Sequence, residues 1–145
     1  MIRYRIVARA FFAVVFICGG LVHLVLGRVD PDSYAAFAET ALFGWLGELW
    51  VLWVMPNIGW LTIVLGIFEI AMGLGMTRRR TVPIAAWGIM AFLIFITAVG
   101  YGFPTDTPIE DFFKNRIITI VMGIALLPLF TRQSRRRAGG PRPAS

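Results

Sequence analysis

The sequence predicts an all-α polytopic membrane protein, a bundle of four transmembrane helices with a tryptophan-rich interfacial segment between the first two. Three observations support this fold class. Of the 145 residues, 58% are hydrophobic and only 15% are charged, a composition typical of integral membrane proteins. Four apolar runs are each long enough to cross the roughly 30 Å hydrocarbon core of a bilayer. The charges are also segregated along the chain, as the topology of a membrane protein requires.

Charge segregation predicts the orientation of the bundle. Eleven of the fourteen basic residues lie near the two ends of the chain or between the second and third helices, whereas seven of the eight acids lie in the other two connections. By the positive-inside rule, both termini and the Arg78 to Arg80 turn are cytoplasmic. We therefore expect a multi-pass protein of the bacterial inner membrane. The net charge of +6 reports this topology and contact with lipid headgroups, so no nucleic-acid partner is expected.

The first helix is predicted from about residue 6 to residue 26, followed by the longest connection of the chain. Gly19, Gly20, His23 and Gly27 share one face of this helix, which makes His23 a candidate ligand or proton site and the glycines candidates for helix packing.

The connection from residue 28 to residue 57 is apolar and rich in aromatic residues. Asp32 or Ser33 is positioned to cap a short helix that runs through Thr40. An amphipathic segment follows, and Pro56 is expected to end it. Its tryptophans are predicted to be membrane-interface anchors, with the segment lying on the outer leaflet as a cap over the bundle; they are Trp45, Trp50 and Trp53.

The second helix, about residues 58 to 76, contains a single ionisable group, Glu69. An acid costs about 2.5 to 3.5 kcal/mol at the centre of a bilayer, so Glu69 must be protonated, paired or placed in a polar cavity. Small residues accompany it on one narrow face at helical spacing, which predicts close packing against another helix. These residues are Gly59, Thr62, Gly66 and Gly73.

The third helix is predicted over about residues 82 to 101 and the last over about residues 112 to 130. Thr97 and Tyr101 are the further candidate polar groups of the site. The sequence from Thr107 to Glu110 resembles a helix start with a proline in the first turn.

Charged residues near the outer end of the last helix are expected to form ion pairs or to reach the headgroups. Lys114 and Arg116 are placed to pair with Asp111 and Glu110. Residues 1–131 are expected to form a single transmembrane domain, and residues 132–145 a basic, disordered tail.

Two interpretations of Glu69 remain open at this stage. It is either a carboxylate that handles a ligand, a proton or a quinone, or a buried structural acid paired with Arg9 or Arg80. His23 is more often a satisfied polar residue than a ligand in such a position. The rise per residue places His23 roughly 10 Å nearer the outer surface than Glu69, so the two are expected to share a cavity without a direct hydrogen bond.

The sequence limits the cofactors of a single chain. One histidine, His23, cannot supply both axial ligands of a bis-histidine haem. One cysteine, Cys18, allows no intrachain disulfide and no cysteine-based metal cage. No metal and no covalently bound cofactor are expected, and a quinone or a lipid is the candidate ligand.

The residues around His23 and Glu69 resemble those of the DoxX-like family of four-helix membrane proteins. GGLVHL, followed by Pro31 and Tyr34, and GIFEIAMGLGMTRRR leading into an apolar third helix form the resemblance, which covers about residues 6 to 130. The most specific part is the spacing of Gly66, Glu69 and Gly73 before a basic turn. The insertion at about residues 42 to 56 departs from the family pattern.

The resemblance implies a four-helix bundle and a link to membrane redox chemistry, because relatives include subunits of thiosulfate:quinone oxidoreductase and membrane partners of oxidoreductase assemblies. The leading interpretation is an accessory subunit of a larger membrane complex, without catalytic activity of its own and with the bilayer and other membrane subunits as partners. The alternatives are a small quinone- or lipid-handling oxidoreductase with a pocket lined by Glu69 and His23, and a proton-coupled small-molecule exporter.

Overall fold

Four apolar helices, each long enough to span a membrane, make up most of residues 2–130, the part of the chain that the computed structural model describes. They are α1 (Ile2–Val29), α2 (Gly44–Thr77), α3 (Val82–Val99) and α4 (Pro108–Leu129). The described residues contain no β-strand. The predicted all-α, four-helix membrane fold is thus confirmed. The tail predicted for 132–145 lies outside the described residues.

Helix α2 begins earlier than the sequence predicts, because the tryptophan-rich segment is continuous with the second membrane helix. It consists of an α-helical part, Gly44–Leu49, a π-helical turn, Trp50–Val54, a 3-10 turn, Met55–Asn57, and a long α-helix, Ile58–Thr77. Pro56 falls at the start of the 3-10 turn, where its missing N–H can be tolerated. The boundary expected at Pro56 is therefore a local change of helix type and not a break.

A 3-10 helix, Pro31–Ala38, joins α1 to α2. The predicted cap at Asp32 or Ser33 is wrong, because the helix begins two or three residues earlier than such a cap requires, at Pro31, a residue that favours a first-turn position. Asp30 holds the N-cap position without a side-chain cap bond, and the Ser33 hydroxyl donates to the Asp30 carbonyl over 2.8 Å.

A glycine ends α3, and a threonine caps the start of α4. Helix α3 ends at Val99, two residues before the predicted end, because Gly100 has φ 87°, a conformation that glycine adopts readily. Helix α4 begins at Pro108, and the Thr107 hydroxyl accepts a hydrogen bond from the Glu110 N–H over 3.2 Å. The predicted helix start at Thr107 is confirmed.

Glycines allow α1 and α2 to pack with their backbones in contact. A Cβ atom at Gly20 would lie 2.5 Å from the Gly66 carbonyl oxygen, and one at Gly73 would lie 2.9 Å from the Ala13 carbonyl oxygen. Gly27 meets the Thr62 side chain in the same interface. Small residues permit this approach, which van der Waals contacts stabilise in a membrane.

Gly59 requires a correction, because it does not belong to the packing face predicted for α2. It is exposed, and nothing lies within 4 Å of a Cβ built there. Its position explains this, since Gly59 comes almost one turn before Thr62, which already faces Gly27 near the end of α1.

Two apolar cores lie at opposite ends of the bundle. The larger core surrounds Phe12, Met76 and Ile89 near the turn that contains Arg78 to Arg80, which we call the basic end. The smaller core includes Leu46, Trp50 and Val99 near the connections 30–43 and 100–107, which we call the acidic end. The space between these cores contains the candidate site.

Candidate functional site

A cavity of about 660 Å³ lies among the four helices in the half of the bundle nearer the acidic end. Its walls are mainly apolar, and several lining side chains are exposed on the outer surface of the bundle, where they form a mouth. The exposed lining residues are Leu49, Trp53, Val64 and Phe95. A cavity of this size and character is suited to an apolar molecule.

One wall of the cavity contains a polar cluster of three side chains, Glu69, His23 and Tyr34, which we call the Glu–His–Tyr cluster. The His23 Nδ1 atom lies 2.6 Å from the Tyr34 hydroxyl, and its Nε2 atom lies 3.7 Å from Glu69 Oε2. The first distance is a hydrogen bond, whereas the second is too long for one. Imidazole thus stands between a phenol and a carboxylate.

Glycine on α1 makes room for the carboxylate. Gly19 faces Glu69, and a Cβ atom at this position would lie only 3.1 Å from Oε2. The close contact of α1 and α2 around Gly20 and Gly66 brings these residues together. The small-residue spacing on the two helices therefore positions the polar cluster as well as packing the bundle.

Glu69 has no Arg or Lys partner among the described residues, and the ionisable group within ion-pair distance of it is His23, with 3.7 Å between Nε2 and Oε2. Arg9, one of the two partners considered from the sequence, donates instead to the carbonyls of Met76 and Thr77 over 2.8 and 2.7 Å. Arg80 is exposed at the basic end. Within the described chain, Glu69 Oε2 is the buried side-chain polar atom that has no hydrogen-bond partner. The structural pair proposed for Glu69 is therefore wrong.

The predicted depth difference between His23 and Glu69 is also wrong. The sequence estimate placed the outer ends of the two helices at the same level, but Gly27 of α1 lies opposite Thr62 of α2. Glu69 is seven residues from this level and His23 is four, so their depths differ by about 4.5 Å of helical rise. Side chains bridge that difference, and both residues line one cavity without a direct hydrogen bond, as predicted.

Tyr34 completes the cluster, although it was not among the candidate site residues. Its ring is buried, and its carbonyl accepts a hydrogen bond from the Trp50 indole N–H over 2.8 Å. Burial raises the pKa of the Tyr34 phenol above its usual value, and the negative charge of Glu69 acts in the same direction. The phenol therefore stays protonated and can donate to His23.

Trp50 is not the membrane-interface anchor that the sequence predicted. Its side chain is only 7% exposed because it packs between two other rings and bonds to the Tyr34 backbone. Trp45 and Trp53 are exposed, at 63% and 52%, and remain predicted anchors. At about 100° per residue, Trp50 lies about 140° around the helix from Trp45, which is why the two side chains do not share one face.

A ladder of aromatic rings extends from the polar cluster along the cavity wall. His23 and Tyr34 have ring centroids 5.7 Å apart, and the next rings are stacked at 5.8, 5.5 and 6.4 Å. The ladder, in order, is His23, Tyr34, Phe37, Trp50 and Phe95. All five residues line the cavity, and the stacking of the rings on one another fixes this wall beside the carboxylate.

The two remaining candidate residues have different environments. Tyr101 lines the cavity, and burial raises the pKa of its phenol. Thr97 is not among the lining residues; its hydroxyl lies 2.6 Å from the Thr119 hydroxyl and 2.6 Å from the Leu93 carbonyl. Thr97 therefore links α3 to α4, and three of the four candidates share the cavity.

The described residues contain neither a disulfide nor a group of His, Cys, Asp and Glu side chains arranged to hold a metal ion. The ionisable groups that line the cavity are a carboxylate, an imidazole and two phenols, and the lining also includes the Thr62 hydroxyl. These groups can accept and donate hydrogen bonds and can hold a proton.

Fold and site together define a class: a multi-pass, all-α membrane protein with a mainly apolar cavity that has exposed lining side chains and a polar cluster in its wall. Comparisons with family models, with curated proteins and with solved structures give no match to this chain.

Proposed function

We propose that this chain is a DoxX-like membrane protein that binds an amphiphile from the bilayer, a quinone or a lipid, and serves as an accessory subunit of a larger inner-membrane complex. The observation that supports binding is the cavity of about 660 Å³, with mainly apolar walls and the Glu–His–Tyr cluster on one of them. Such a cavity accepts an apolar chain while a few polar groups orient the head group.

The shape of the site supports entry from the membrane. Exposed lining side chains such as Val64 on α2 and Phe95 on α3 mark the mouth between these two helices. A quinone ring or a lipid chain already dissolved in the bilayer reaches this mouth without crossing water. The role of the protein is then to hold the amphiphile in a fixed position for a neighbouring subunit.

Blocking the cavity tests the binding function. The double variant Leu61→Trp/Leu65→Trp places bulk at two lining positions of α2, and the matched control Ile67→Trp/Leu74→Trp places the same bulk at exposed positions that do not line the cavity. Decylubiquinone binding to the purified protein in nanodiscs is measured by native mass spectrometry. We expect the blocked variant to lose affinity by at least about tenfold and the control to bind as the wild type does.

Equal binding by the blocked and control variants would contradict a site in this cavity. The accessory role is tested by extraction in a mild detergent, which should recover the chain together with other membrane subunits. Recovery of a free monomer alone would argue against the complex.

A quinone- or lipid-handling oxidoreductase is the second candidate function, and the contact between His23 and Tyr34 favours it. A phenol and an imidazole in hydrogen-bond contact beside a carboxylate can exchange protons with a bound head group. Turnover of a quinone by the purified chain alone would distinguish this function from simple binding. The exporter alternative has less support, because the α2 residues that line the cavity extend no further than Glu69 toward the basic end.

A further inference from the structure

The atom that determines which head group fits is Glu69 Oε2. The Glu69 side chain is only 6% exposed, lines the cavity, and leaves this oxygen without a hydrogen-bond partner. Without a cationic partner, Glu69 is a neutral carboxyl at this depth. When it gives up its proton, Oε2 becomes an acceptor, and burying an unpaired charged acceptor costs more than the about 1 to 3 kcal/mol of a neutral one. The group that complements the carboxylate is therefore a donor, and a positively charged donor pairs best.

The protein does not provide that donor from the walls of the cavity. No Lys or Arg is among the described lining residues. The arginines closest in the fold have other partners, since Arg9 binds carbonyls at the end of α2 and Arg116 binds Asp111 and two carbonyls at the acidic end. His23 already uses Nδ1 for Tyr34, and its Nε2 atom lies 3.7 Å from Oε2.

A head group without a positively charged donor fits the Glu69 carboxylate less well. A quinone carbonyl can accept a hydrogen bond from the neutral carboxyl but gives the carboxylate no donor, and a phosphate would bring a negative charge toward Oε2. The ladder lines the apolar part of the cavity and offers no free ring face at Phe37 or Trp50, because each is stacked between two neighbouring rings.

We infer that the cavity binds an amphiphilic amine, a molecule with one protonatable nitrogen and an apolar chain, whose ammonium group pairs with Glu69 and whose chain occupies the apolar walls. This inference rests on the proposed function and specifies its head-group chemistry. A neutral amine from the bilayer takes the proton of the Glu69 carboxyl: the O–H bond breaks, an N–H bond forms, and an ammonium–carboxylate pair results. The step needs no oxidant and no other reactant.

The ionisable groups around Glu69 are consistent with this exchange. The described groups that face it are His23 from α1, Tyr34 from the 3-10 helix and Tyr101 after α3; the lining residues from α3 and α4 are not ionisable. The raised pKa values of Tyr34 and Tyr101 keep both phenols neutral. His23 is thus the group that can compete with the amine for the proton.

Three probes of equal chain length test the head-group preference in the full chain in nanodiscs: dodecyldimethylamine, dodecanol and dodecanoic acid. Affinities are measured by native mass spectrometry. The wild type is expected to bind the amine at least about tenfold more tightly than the alcohol, and the acid more weakly than either. In Glu69→Gln, the preference for the amine over the alcohol should fall to about onefold to twofold.

Ile67→Ala is the matched control, because Ile67 is an exposed residue of the same helix that does not line the cavity. It should keep the preference of the wild type. Equal affinity of the wild type for amine and alcohol would overturn the inference and leave the proposed function standing. Binding of none of the probes, and of no quinone, would overturn the proposed function itself. If Glu69→Gln does not fold, the probe comparison in the wild type still decides.

Discussion

Two polar clusters of this protein differ in whether their hydrogen bonds are complete. At the acidic end, the buried Arg116 guanidinium donates to the Asp111 carboxylate over 2.7 Å and to the carbonyls of Thr97 and Thr40. The protein itself supplies the partners of this guanidinium, and we call the group the Arg116 cluster. In the cavity, the buried Glu69 carboxylate keeps one oxygen without a partner, because Glu69 Oε2 accepts no hydrogen bond from the described residues.

This difference separates a structural role from a binding role. The Arg116 cluster connects α4 to α3 and to the connection before α2, so its bonds hold three parts of the fold together. The Glu–His–Tyr cluster leaves an acceptor that a ligand can use. Polar groups buried for stability are normally satisfied by the protein, and an unsatisfied one in a cavity therefore indicates a site.

The largest expected effect on stability comes from disrupting the Arg116 cluster. Arg116→Met should lower the free energy of unfolding by about 3 to 5 kcal/mol, because it removes the cationic partner of Asp111, which keeps only its hydrogen bond from the Asn115 amide, and a donor to two carbonyls. The measurement is unfolding in mixed micelles of dodecylmaltoside and SDS, followed by circular dichroism.

Lys114→Met is the matched control for that experiment. Its ion pair with Glu110 is partly exposed, with a side chain of 48% accessibility on Lys114, and such pairs contribute only about 0 to 1 kcal/mol. If both variants lost the same stability, the Arg116 cluster would not have the structural role assigned to it.

An intermediate loss of stability is expected from widening the interface between α1 and α2, which places Glu69 beside His23. Gly66→Ala puts a Cβ atom 2.7 Å from the Gly20 carbonyl oxygen, and such overpacking costs about 1 to 3 kcal/mol. Gly59→Ala, in open space on the same helix, should be neutral or stabilising. Equal losses of stability from the two variants in the same unfolding assay would contradict the close packing of α1 and α2 at Gly66.

The smallest effect on stability should come from Glu69 itself. Glu69→Gln replaces an unpaired buried acid by a neutral group of the same shape, so we expect a change within about 1 kcal/mol. The same mixed-micelle unfolding measures it beside Arg116→Met. A loss as large as that of Arg116→Met would show that the cavity cluster is structural and would remove the contrast between the two clusters.

The four helices could be predicted because each is a long apolar run bounded by charges, prolines or glycines. The start of α4 at Thr107 followed from a cap and a proline that are local in the sequence. The continuous helix from Gly44 could not be predicted in this way. Its π-helical and 3-10 turns accommodate Pro56 without a break, and Trp50 in the first of these turns packs against Tyr34 and Phe37, which are distant in the sequence.

The site was predictable only in part. Glu69 and His23 stand out as ionisable residues in apolar helices, and their small-residue faces indicate which sides of α1 and α2 meet. Their actual separation depends on the register of the two helices, which is set by contacts such as Gly27 with Thr62. Tyr34 joins His23 only because a 3-10 helix folds back over α1, and no local signal specifies that fold.

The position of the cavity along the bundle has a consequence for lipid asymmetry. Its lining includes residues 15–23 of α1, residues 49–69 of α2 and residues 92–96 of α3, and so extends from the middle of the bundle toward the acidic end. Under the proposed entry from the bilayer, its mouth opens to a single monolayer. The occupancy of the site then follows the composition of that leaflet alone, and an amphiphile that flips to the opposite leaflet is withdrawn from the protein without any change in its total amount in the membrane.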